Sequence, residues 1–369
     1  MISNTAIPMQ SFSRHVAEFR DAVDRRLKAV QDRAHFILGP EVKEFERRFA
    51  DYIGTRHCVA VANGTQAMEL ALRALDKDDG EVITTANAGM YATCAILASG
   101  LTPVYCEIDP VLMTPDPQSL LSTISPRTRA VIVTHLYGQA ADMEPILEIC
   151  RAAGVVLIED CAEAHGAKIG GCKVGSFGRA GCFSFYPTKN LGAYGDGGAI
   201  TTDDDGLAQR LRSLRQYGWS QKYHAEIPRG TNSRMDEMQA AVLNAKLDRL
   251  DELNERRRLI ISRYNVALAG RVSQLPFTSN GNFIVHHYVL RSRCRKQIMQ
   301  GLDECGIASD IHFPVPDYRQ AAFAGRFQDV HLPETERACA EVFTVPSFPE
   351  MTEEEVEAVV RALSEVYRP

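Results

Sequence analysis

The sequence contains no run of 18 apolar residues, no C-x-x-C pair and no excess of basic residues. The first absence argues against a transmembrane helix, because a helix needs about 20 apolar residues to cross a bilayer. The second argues against a zinc site or a disulfide framework, although the chain has ten cysteines. The net charge of -6 argues against a nucleic-acid partner, which usually requires a basic face.

The chain also lacks repeats, low-complexity tracts and any linker rich in proline, glycine or serine. Its amino-terminal stretch does not have the layout of a secretory signal, and no cluster of His, Asp or Glu has metal-ligand spacing. We therefore expect a cytoplasmic protein with reduced cysteines and no metal site. With 369 residues, of which 45% are hydrophobic, the chain is long enough for a large and a small domain.

Short β-branched runs alternate with helical patterns in the first part of the chain. Seven runs predict strands, at 58–63, 81–86, 102–109, 130–135, 155–160, 182–187 and 197–203. Alternation of strand and helix favours parallel pairing with helices on both faces of one sheet. The sequence thus predicts an α/β fold whose large domain has a mostly parallel seven-stranded sheet between helices.

A long helical pattern, or two helices joined end to end, begins at Ser233, with apolar residues at three- and four-residue spacing. After it the alternation is weaker, with a predicted strand over 285–293 and a predicted helix over 353–367. We therefore predict a large domain over residues 1–247 and a smaller C-terminal α/β domain over 248–369.

Polar residues directly follow predicted strands, where ligands of an open α/β sheet bind. Gly64 and Thr65 make a tight turn into a helix, whose free N–H groups suit a phosphate. Glu159 and Asp160 end an otherwise apolar strand, so one of them should face a cation. Taken alone, the first motif is equally an ordinary turn, and the second could be a pair of solvated acids.

The most informative segment is FSFYPTKNLGAYGDGGAITTD, in which Lys189 follows a strand and precedes four glycines between 192 and 198. Glycines let the backbone approach a ligand closely. A single lysine in such a loop is typical of a covalent bond to a cofactor aldehyde. Because a lone loop lysine is usually a solvated surface residue, this interpretation depends on the neighbouring motifs.

Together these segments resemble the DegT/DnrJ/StrS family of sugar aminotransferases, which depend on pyridoxal 5'-phosphate (PLP) and have the type I aminotransferase fold. The resemblance covers nearly the whole chain in the family's order. The matching segments are FILGPEVKEFERRFADYIG (36–54), VANGTQAMELAL (61–72), HLYGQAADM (135–143), IEDCAEAHGA (158–167), SFYPTKNLGAYGDGGAITT (184–202) and TNSRMDEMQAA (231–241). The combination is specific, whereas any one segment is not.

The resemblance implies a role for each matching position. Lys189 matches the lysine that carries PLP covalently, and Asp160 matches the aspartate that pairs with the cofactor's ring nitrogen. Gly64 and Thr65 match the turn that holds the cofactor phosphate, and Ser184 matches a second phosphate ligand.

Asn232 matches an asparagine that reaches the phosphate of the neighbouring subunit, which implies a homodimer with a shared active site. Some family members are sugar dehydratases with histidine in place of the lysine, so Lys189 favours transamination. The implied reaction has two halves: L-glutamate leaves its amine on the cofactor, giving pyridoxamine 5'-phosphate (PMP), and a keto sugar accepts it. Lys189 would then act as general base and acid.

Two positions depart from the family pattern. Glu163 stands where many members have glutamine, and we expect it to contact the cofactor as an ion or in protonated form. The stretch that usually places an aromatic ring over the cofactor has Met90 followed by Tyr91. Either side chain could cover the ring, and we favour Tyr91.

The acceptor stretches resemble family members that act on nucleotide-linked 3-keto-6-deoxyhexoses. Four side chains are expected to contact the sugar nucleotide: Lys222, Tyr223, His312 and Tyr318. The pair His286–His287 lies in another such stretch, but these histidines and Tyr318 are nearly as well explained as core residues.

Other functions stay open from the sequence alone. A 4-keto sugar nucleotide or a ketocyclitol is an alternative acceptor. A non-catalytic regulatory relative is a remote alternative, because such a protein should have lost the lysine, the aspartate or the phosphate turn, and none is lost.

Overall fold

The computed structural model describes residues 6–75, 77, 79–274 and 281–367. Its strands are β1 (His57–Val61), β2 (Glu81–Thr84), β3 (Thr102–Tyr105), β4 (Thr128–Thr134), β5 (Val156–Asp160), β6 (Lys168–Ile169), β7 (Cys172–Lys173), β8 (Ala180–Ser184), β9 (Gly198–Thr202), β10 (Trp219–Gln221), β11 (His224–Ala225), β12 (Ser273–Gln274), β13 (Tyr288–Arg291) and β14 (Val342–Val345).

The helices precede, separate and follow these strands. They are α1 (Phe12–Arg33), α2 (Pro40–Ile53), α3 (Gly64–Arg73), α4 (Tyr91–Ala98), α5 (Pro117–Thr123), α6 (Met143–Ala153), α7 (Asp205–Leu214), α8 (Glu237–Lys246), α9 (Leu250–Leu268), α10 (Arg295–Glu304), α11 (Pro333–Glu341) and α12 (Glu353–Val366). Within the described residues, no helix has both the length and the apolar character needed to cross a membrane.

The central sheet has seven strands in the order β1-β9-β8-β5-β4-β2-β3. Neighbouring strands from β8 to β3 pair in parallel, whereas β9 runs antiparallel to both β1 and β8. The prediction of a mostly parallel seven-stranded sheet is therefore confirmed. Each predicted run overlaps one of these strands, as β5 does with the predicted 155–160.

Helices cover both faces of this sheet. Along β4, Val131 and Val133 share a cluster with Ile146 of α6, while Ile132 shares the opposite cluster with Leu70 of α3. Successive side chains of a strand point to opposite faces, so both sets must be apolar. This double coverage explains why the central strands are continuous apolar runs rather than alternating ones.

The C-terminal part packs around a three-stranded antiparallel sheet, β12-β13-β14. Tyr264 and Leu268 of α9 share a core cluster there with Tyr288 of β13 and Val359 of α12. The predicted strand over 285–293 and helix over 353–367 correspond to β13 and α12.

The long helical pattern after Ser233 forms two helices. α8 ends at Lys246, a 3-10 turn spans Leu247–Arg249, and α9 begins at Leu250. The alternative of two helices joined end to end is thus the observed one. The domain boundary at residue 247 stays a prediction.

One buried carboxylate joins α8 to α2. Glu237 is fully buried, and its two oxygens accept hydrogen bonds from the backbone N–H groups of Glu41 at 2.9 Å and Val42 at 2.8 Å. These N–H groups belong to the first turn of α2, where they have no partner within the helix. A side chain from α8 therefore stabilises the start of α2.

Replacing Glu237 by alanine leaves these two donors buried without an acceptor. We expect the free energy of unfolding to fall by about 2–4 kcal/mol, because two charge-assisted hydrogen bonds are lost. Urea denaturation followed by circular dichroism measures the change. Glu255→Ala, which removes a half-exposed carboxylate paired with Arg258, is the matched control and should have little effect. Equal losses in the two variants would contradict the capping role.

Candidate active site

A cavity of about 840 Å³ opens beside the carboxyl ends of β5 and β8 and the start of α3. Ligands of open α/β sheets bind at this edge. Seven predicted site residues line the cavity: Gly64, Thr65, Tyr91, Glu163, Ser184, Lys189 and His312. The fold thus brings together residues that lie far apart in the sequence.

Lys189 lies in the turn that follows β8, where its backbone N–H donates to the carbonyl of Tyr186 at 2.8 Å. Its Nζ is 3.0 Å from Oε1 of Glu163 and 3.5 Å from Nε2 of His286. The second oxygen of Glu163 accepts from the backbone N–H of Tyr137 at 2.9 Å. The amine is therefore held between a fixed carboxylate and an imidazole.

The charges around Lys189 follow from burial and from neighbouring ions. Burial raises the pKa of Glu163, but the charge of Lys189 and the hydrogen bonds from Lys189 and the Tyr137 N–H act against it, and that pKa lies below its usual value. Of the two forms expected for Glu163, the ionised one is favoured. Burial lowers the pKa of His286 well below its usual range and that of His287 to about 3, so both rings are neutral at neutral pH.

Asp160 ends β5 and is 4% exposed. Its carboxylate accepts from the Thr134 hydroxyl at 3.2 Å and from the Ala162 N–H at 3.1 Å. Burial raises the pKa of this carboxyl, and within the described residues no ion pair compensates for it. A protonated ring nitrogen would supply the missing cation, so Asp160 fits a PLP ring.

Glu159, the other acid of the pair, has a structural role instead. It is fully buried and accepts from the N–H groups of Gly175 at 2.7 Å, Phe177 at 2.8 Å and Gly178 at 2.8 Å. His135 lies 3.1 Å from the same carboxylate. Glu159 is thus satisfied by the protein itself and organises the loop before β8.

Two groups of side chains come close enough to share an ion: His135, Glu159 and Cys161, and Glu163, His286 and His287. In the first group the carboxylate is already engaged by backbone donors. In the second, the Lys189 ammonium lies 3.0 Å from the carboxylate and would repel a metal ion. That the site uses no metal stays a prediction.

The turn between β1 and α3 forms a cradle with the end of β8. Asn63 caps α3 by accepting from the Gln66 N–H at 2.9 Å, while Gly64 and Thr65 line the cavity beside Ser184. A Cβ at Gly64 would lie 2.7 Å from the Cβ of Ser184, so this approach requires glycine. Helix N–H groups and a hydroxyl suit a phosphate, and that these residues bind the cofactor phosphate stays a prediction.

The aromatic position next to the cavity is occupied by Tyr91. Its side chain is half exposed and lines the cavity, and its ring is 5.9 Å from that of Phe313. Met90 is not among the lining residues, and its backbone N–H donates to Asp317 at 2.9 Å. This placement supports Tyr91 over Met90 as the residue that covers the cofactor.

On the acceptor side, His312 lines the cavity, and its ring stacks on that of His287 at 4.0 Å. Tyr318 does not line it: this residue is buried in a separate cluster with Tyr105, and its hydroxyl donates to Glu336 at 3.1 Å. Its contact with substrate stays a prediction, but the core interpretation is the simpler one.

The remaining predicted residues lie outside the cavity on exposed segments. Lys222 and Tyr223 belong to the turn between β10 and β11, where Tyr223 is 75% exposed. Asn232 is also exposed and forms an isolated bridge with Gln216. Within one chain these three residues do not reach Lys189, and their roles stay predictions.

Among the residues at the site that were not predicted are Tyr186, Asn190 and Arg257. Tyr186 lines the cavity, and Oδ1 of Asn190 accepts from Nδ1 of His286 at 3.1 Å. Both lie within the segment around Lys189 and could have been found there. Arg257 also lines the cavity, but it stands in the arginine-rich helix α9, and no sequence signal separates it from its surface neighbours.

Over residues 18–364 the chain matches the DegT/DnrJ/EryC1/StrS aminotransferase family. A dTDP-3-amino-3,6-dideoxy-alpha-D-galactopyranose transaminase of Aneurinibacillus thermoaerophilus is 42% identical over 360 residues, with 97% of this chain and 99% of that protein covered. A pleiotropic regulatory protein of Geobacillus stearothermophilus is 40% identical over 368 residues, with 98% and 99% covered.

Solved structures agree in fold. DesV of S. venezuelae, in complex with a ketimine intermediate, superimposes with a TM-score of 0.95 at 38% identity, covering 99% of both chains. NtdA of Bacillus subtilis with bound cofactor PMP gives 0.93 at 28% identity, covering 99% of this chain and 86% of that one. These likenesses confirm the predicted fold of a type I PLP aminotransferase, and the chain belongs to the DegT/DnrJ/EryC1/StrS aminotransferase family.

Proposed function

We propose that the protein is a PLP-dependent aminotransferase that moves an amino group from L-glutamate to a nucleotide-linked 3-keto-6-deoxyhexose in the cytoplasm. The observation that carries this proposal is that Lys189 and the turn at Gly64 line one cavity, while the buried carboxylate of Asp160 accepts from the N–H of Ala162 in the wall of that cavity. Each of the three suits a different part of PLP: Lys189 suits its aldehyde, Asp160 its ring nitrogen, and the turn its phosphate.

When bound, PLP supplies an electron sink that stabilises negative charge on the carbon from which a proton is removed. The chain's residues provide the surroundings for that chemistry. The N-terminus of α3, with Thr65 and Ser184, would hold the phosphate, and the Asp160 carboxylate would keep the ring nitrogen protonated. Burial of Asp160 and Glu163 keeps water from competing for these contacts.

Lys189 is the group placed to move a proton. Its Nζ has one carboxylate at 3.0 Å and one neutral imidazole at 3.5 Å, so it can hold or release a proton without leaving the cavity. Glu163 stabilises the charged amine, whereas the neutral His286 ring, whose Nδ1 donates to Asn190, offers Nε2 as an acceptor. The side chain of Lys189 is 12% exposed, which limits exchange with bulk water.

The acceptor is proposed from the relatives and from the cavity wall. The Aneurinibacillus relative acts, by its name, on a dTDP-linked 3-amino-3,6-dideoxyhexose. His312 and Tyr186 offer polar groups at the cavity to the hydroxyls of a sugar. A regulatory role is less favoured, even though two relatives are named for regulation or sensory transduction, because the lysine, the aspartate and the phosphate turn expected for PLP chemistry are all present.

A homodimer with a shared site would explain the exposed residues. Lys222, Tyr223 and Asn232 lie on surface segments of their own chain, at positions that do not contribute to its cavity. A second copy could bring these polar groups to the mouth of the cavity, where a diphosphate or a cofactor phosphate needs cations and donors.

The cofactor proposal predicts the absorption of the purified protein. With PLP added, we expect a band at roughly 400–430 nm that L-glutamate shifts toward roughly 330 nm, as aldehyde and amine forms of the cofactor require. Lys189→Ala should lose the first band, and Lys296→Ala, an exposed lysine of α10, should keep it. No band in the wild type would refute the cofactor, and a band insensitive to L-glutamate would refute the donor.

The same spectra distinguish the acceptors. The band at roughly 330 nm should return to roughly 400–430 nm with a dTDP-linked 3-keto-6-deoxyhexose and not with its 4-keto isomer or a ketocyclitol. Recovery with either of the other two compounds alone would replace the proposed acceptor by that compound.

Replacing Glu163 by glutamine removes the negative charge next to Nζ of Lys189 while keeping the side chain's shape. We expect the pH midpoint of the bound cofactor's absorption change to fall by about one unit, because a positive charge at this nitrogen loses its nearest counter-ion. A pH titration of the spectrum measures it. An unchanged midpoint would show that Glu163 is not charged beside the cofactor.

The shared site is tested by mixing inactive variants. Lys189→Ala and Asn232→Asp should each inactivate the protein, the second by placing a negative charge beside the phosphate. After unfolding and refolding together, mixed dimers carry one intact site, so about a quarter of the wild-type activity should return. Failure to recover activity from dimers that do form would contradict a site shared through Asn232.

A further inference from the structure

A buried arginine in the cavity wall has no partner in the described chain. Arg257 is 5% exposed, and its Nη1 is buried without a hydrogen bond. No ion pair or side-chain hydrogen bond joins it to another described residue. The neighbouring Arg256 differs, since it pairs with Glu18 at 3.1 Å and Glu252 at 2.7 Å on the surface.

Arg257 stands on the face of α9 that supports the catalytic lysine. Asn254, three residues earlier and so on the same face, accepts from Asn190 at 2.7 Å. Asn190 contacts His286 at 3.1 Å, whose other ring nitrogen lies 3.5 Å from Nζ of Lys189. The helix face that carries Arg257 is therefore connected to the reactive amine by one chain of hydrogen bonds, and both side chains line the same cavity.

An unpaired buried cation is costly, so its retention needs a reason. Burial lowers the pKa of Arg257 to about 10, with Glu350 opposing the change, so the side chain is still charged at neutral pH. The carboxylate of Glu350 is itself engaged, with Oε1 2.6 Å from Nδ1 of His15. The protein thus provides a cationic fork at the cavity without an anion to fill it.

We propose that Arg257 binds a carboxylate of the amino donor. A guanidinium pairs with a carboxylate through two parallel hydrogen bonds, which fits a small, deeply placed anion. The cofactor phosphate has its own cradle at Gly64, Thr65 and Ser184. This inference rests on the proposed function, because it takes the donor to be an amino acid such as L-glutamate.

Arg257 could bind either the donor carboxylate or the acceptor's phosphates, and binding experiments distinguish these two anions. In Arg257→Gln holoenzyme, we expect the dissociation constants of L-glutamate and of glutarate, a dicarboxylate without an amine, to rise about 10- to 100-fold. Binding of dTDP should not change. Arg256→Gln, which removes the surface neighbour, should leave all three constants at the wild-type values. Calorimetry measures glutarate and dTDP, and the spectral shift measures L-glutamate.

The outcomes separate this inference from the proposed function. Unchanged binding of glutarate and L-glutamate in Arg257→Gln, or weaker binding of dTDP alone, would overturn the carboxylate site. A wild-type protein that binds glutarate but shows no spectral change with L-glutamate would refute the donor and leave the carboxylate site standing. If Arg257→Gln does not fold, Arg257→Lys keeps the charge but loses the fork, and it should weaken both dicarboxylates by a smaller factor.

Discussion

Charged groups buried at one edge of the sheet need counter-ions, and this requirement organises the active site. Glu163, Lys189 and Arg257 line a single cavity, and Asp160 accepts from Ala162 in its wall; all four side chains are largely withdrawn from water. Only Glu163 and Lys189 pair with each other within the described chain. Asp160 and Arg257 therefore need counter-ions from ligands. A cationic ring suits Asp160, and an anion suits Arg257.

Glu159 and Asp160 are adjacent at the end of β5, but their side chains point to opposite sides and have different roles. Glu159 points to the side where three backbone N–H groups meet it, and it stabilises the loop that leads to β8. Asp160 points to the opposite side, where only Thr134 and Ala162 donate to it. Because side chains alternate across a strand, neighbouring acids necessarily serve different faces.

Much of the fold was predictable because each central strand is buried on both faces and intervening helices such as α3, α6 and α7 are amphipathic. The same sequence segments also carry the family's motifs, so Lys189 could be proposed from its glycine-rich stretch and Ser184 from the resemblance. The placement of Tyr318 in a separate core cluster could not be predicted, since an aromatic residue beside proline and aspartate is compatible with either a pocket or a core.

The sequence by itself determined the α/β alternation and the family, because these features depend on local periodicity and on contiguous motifs. Only the tertiary structure decided that Glu163 meets Lys189, that His286 and His287 line the cavity, and that Arg257 is buried without a partner. Each of these features depends on segments that are distant in the sequence and meet only in the folded chain. An arginine among other arginines on a helix looks the same in sequence whether it faces water or a cavity, and the packing of α9 makes that distinction.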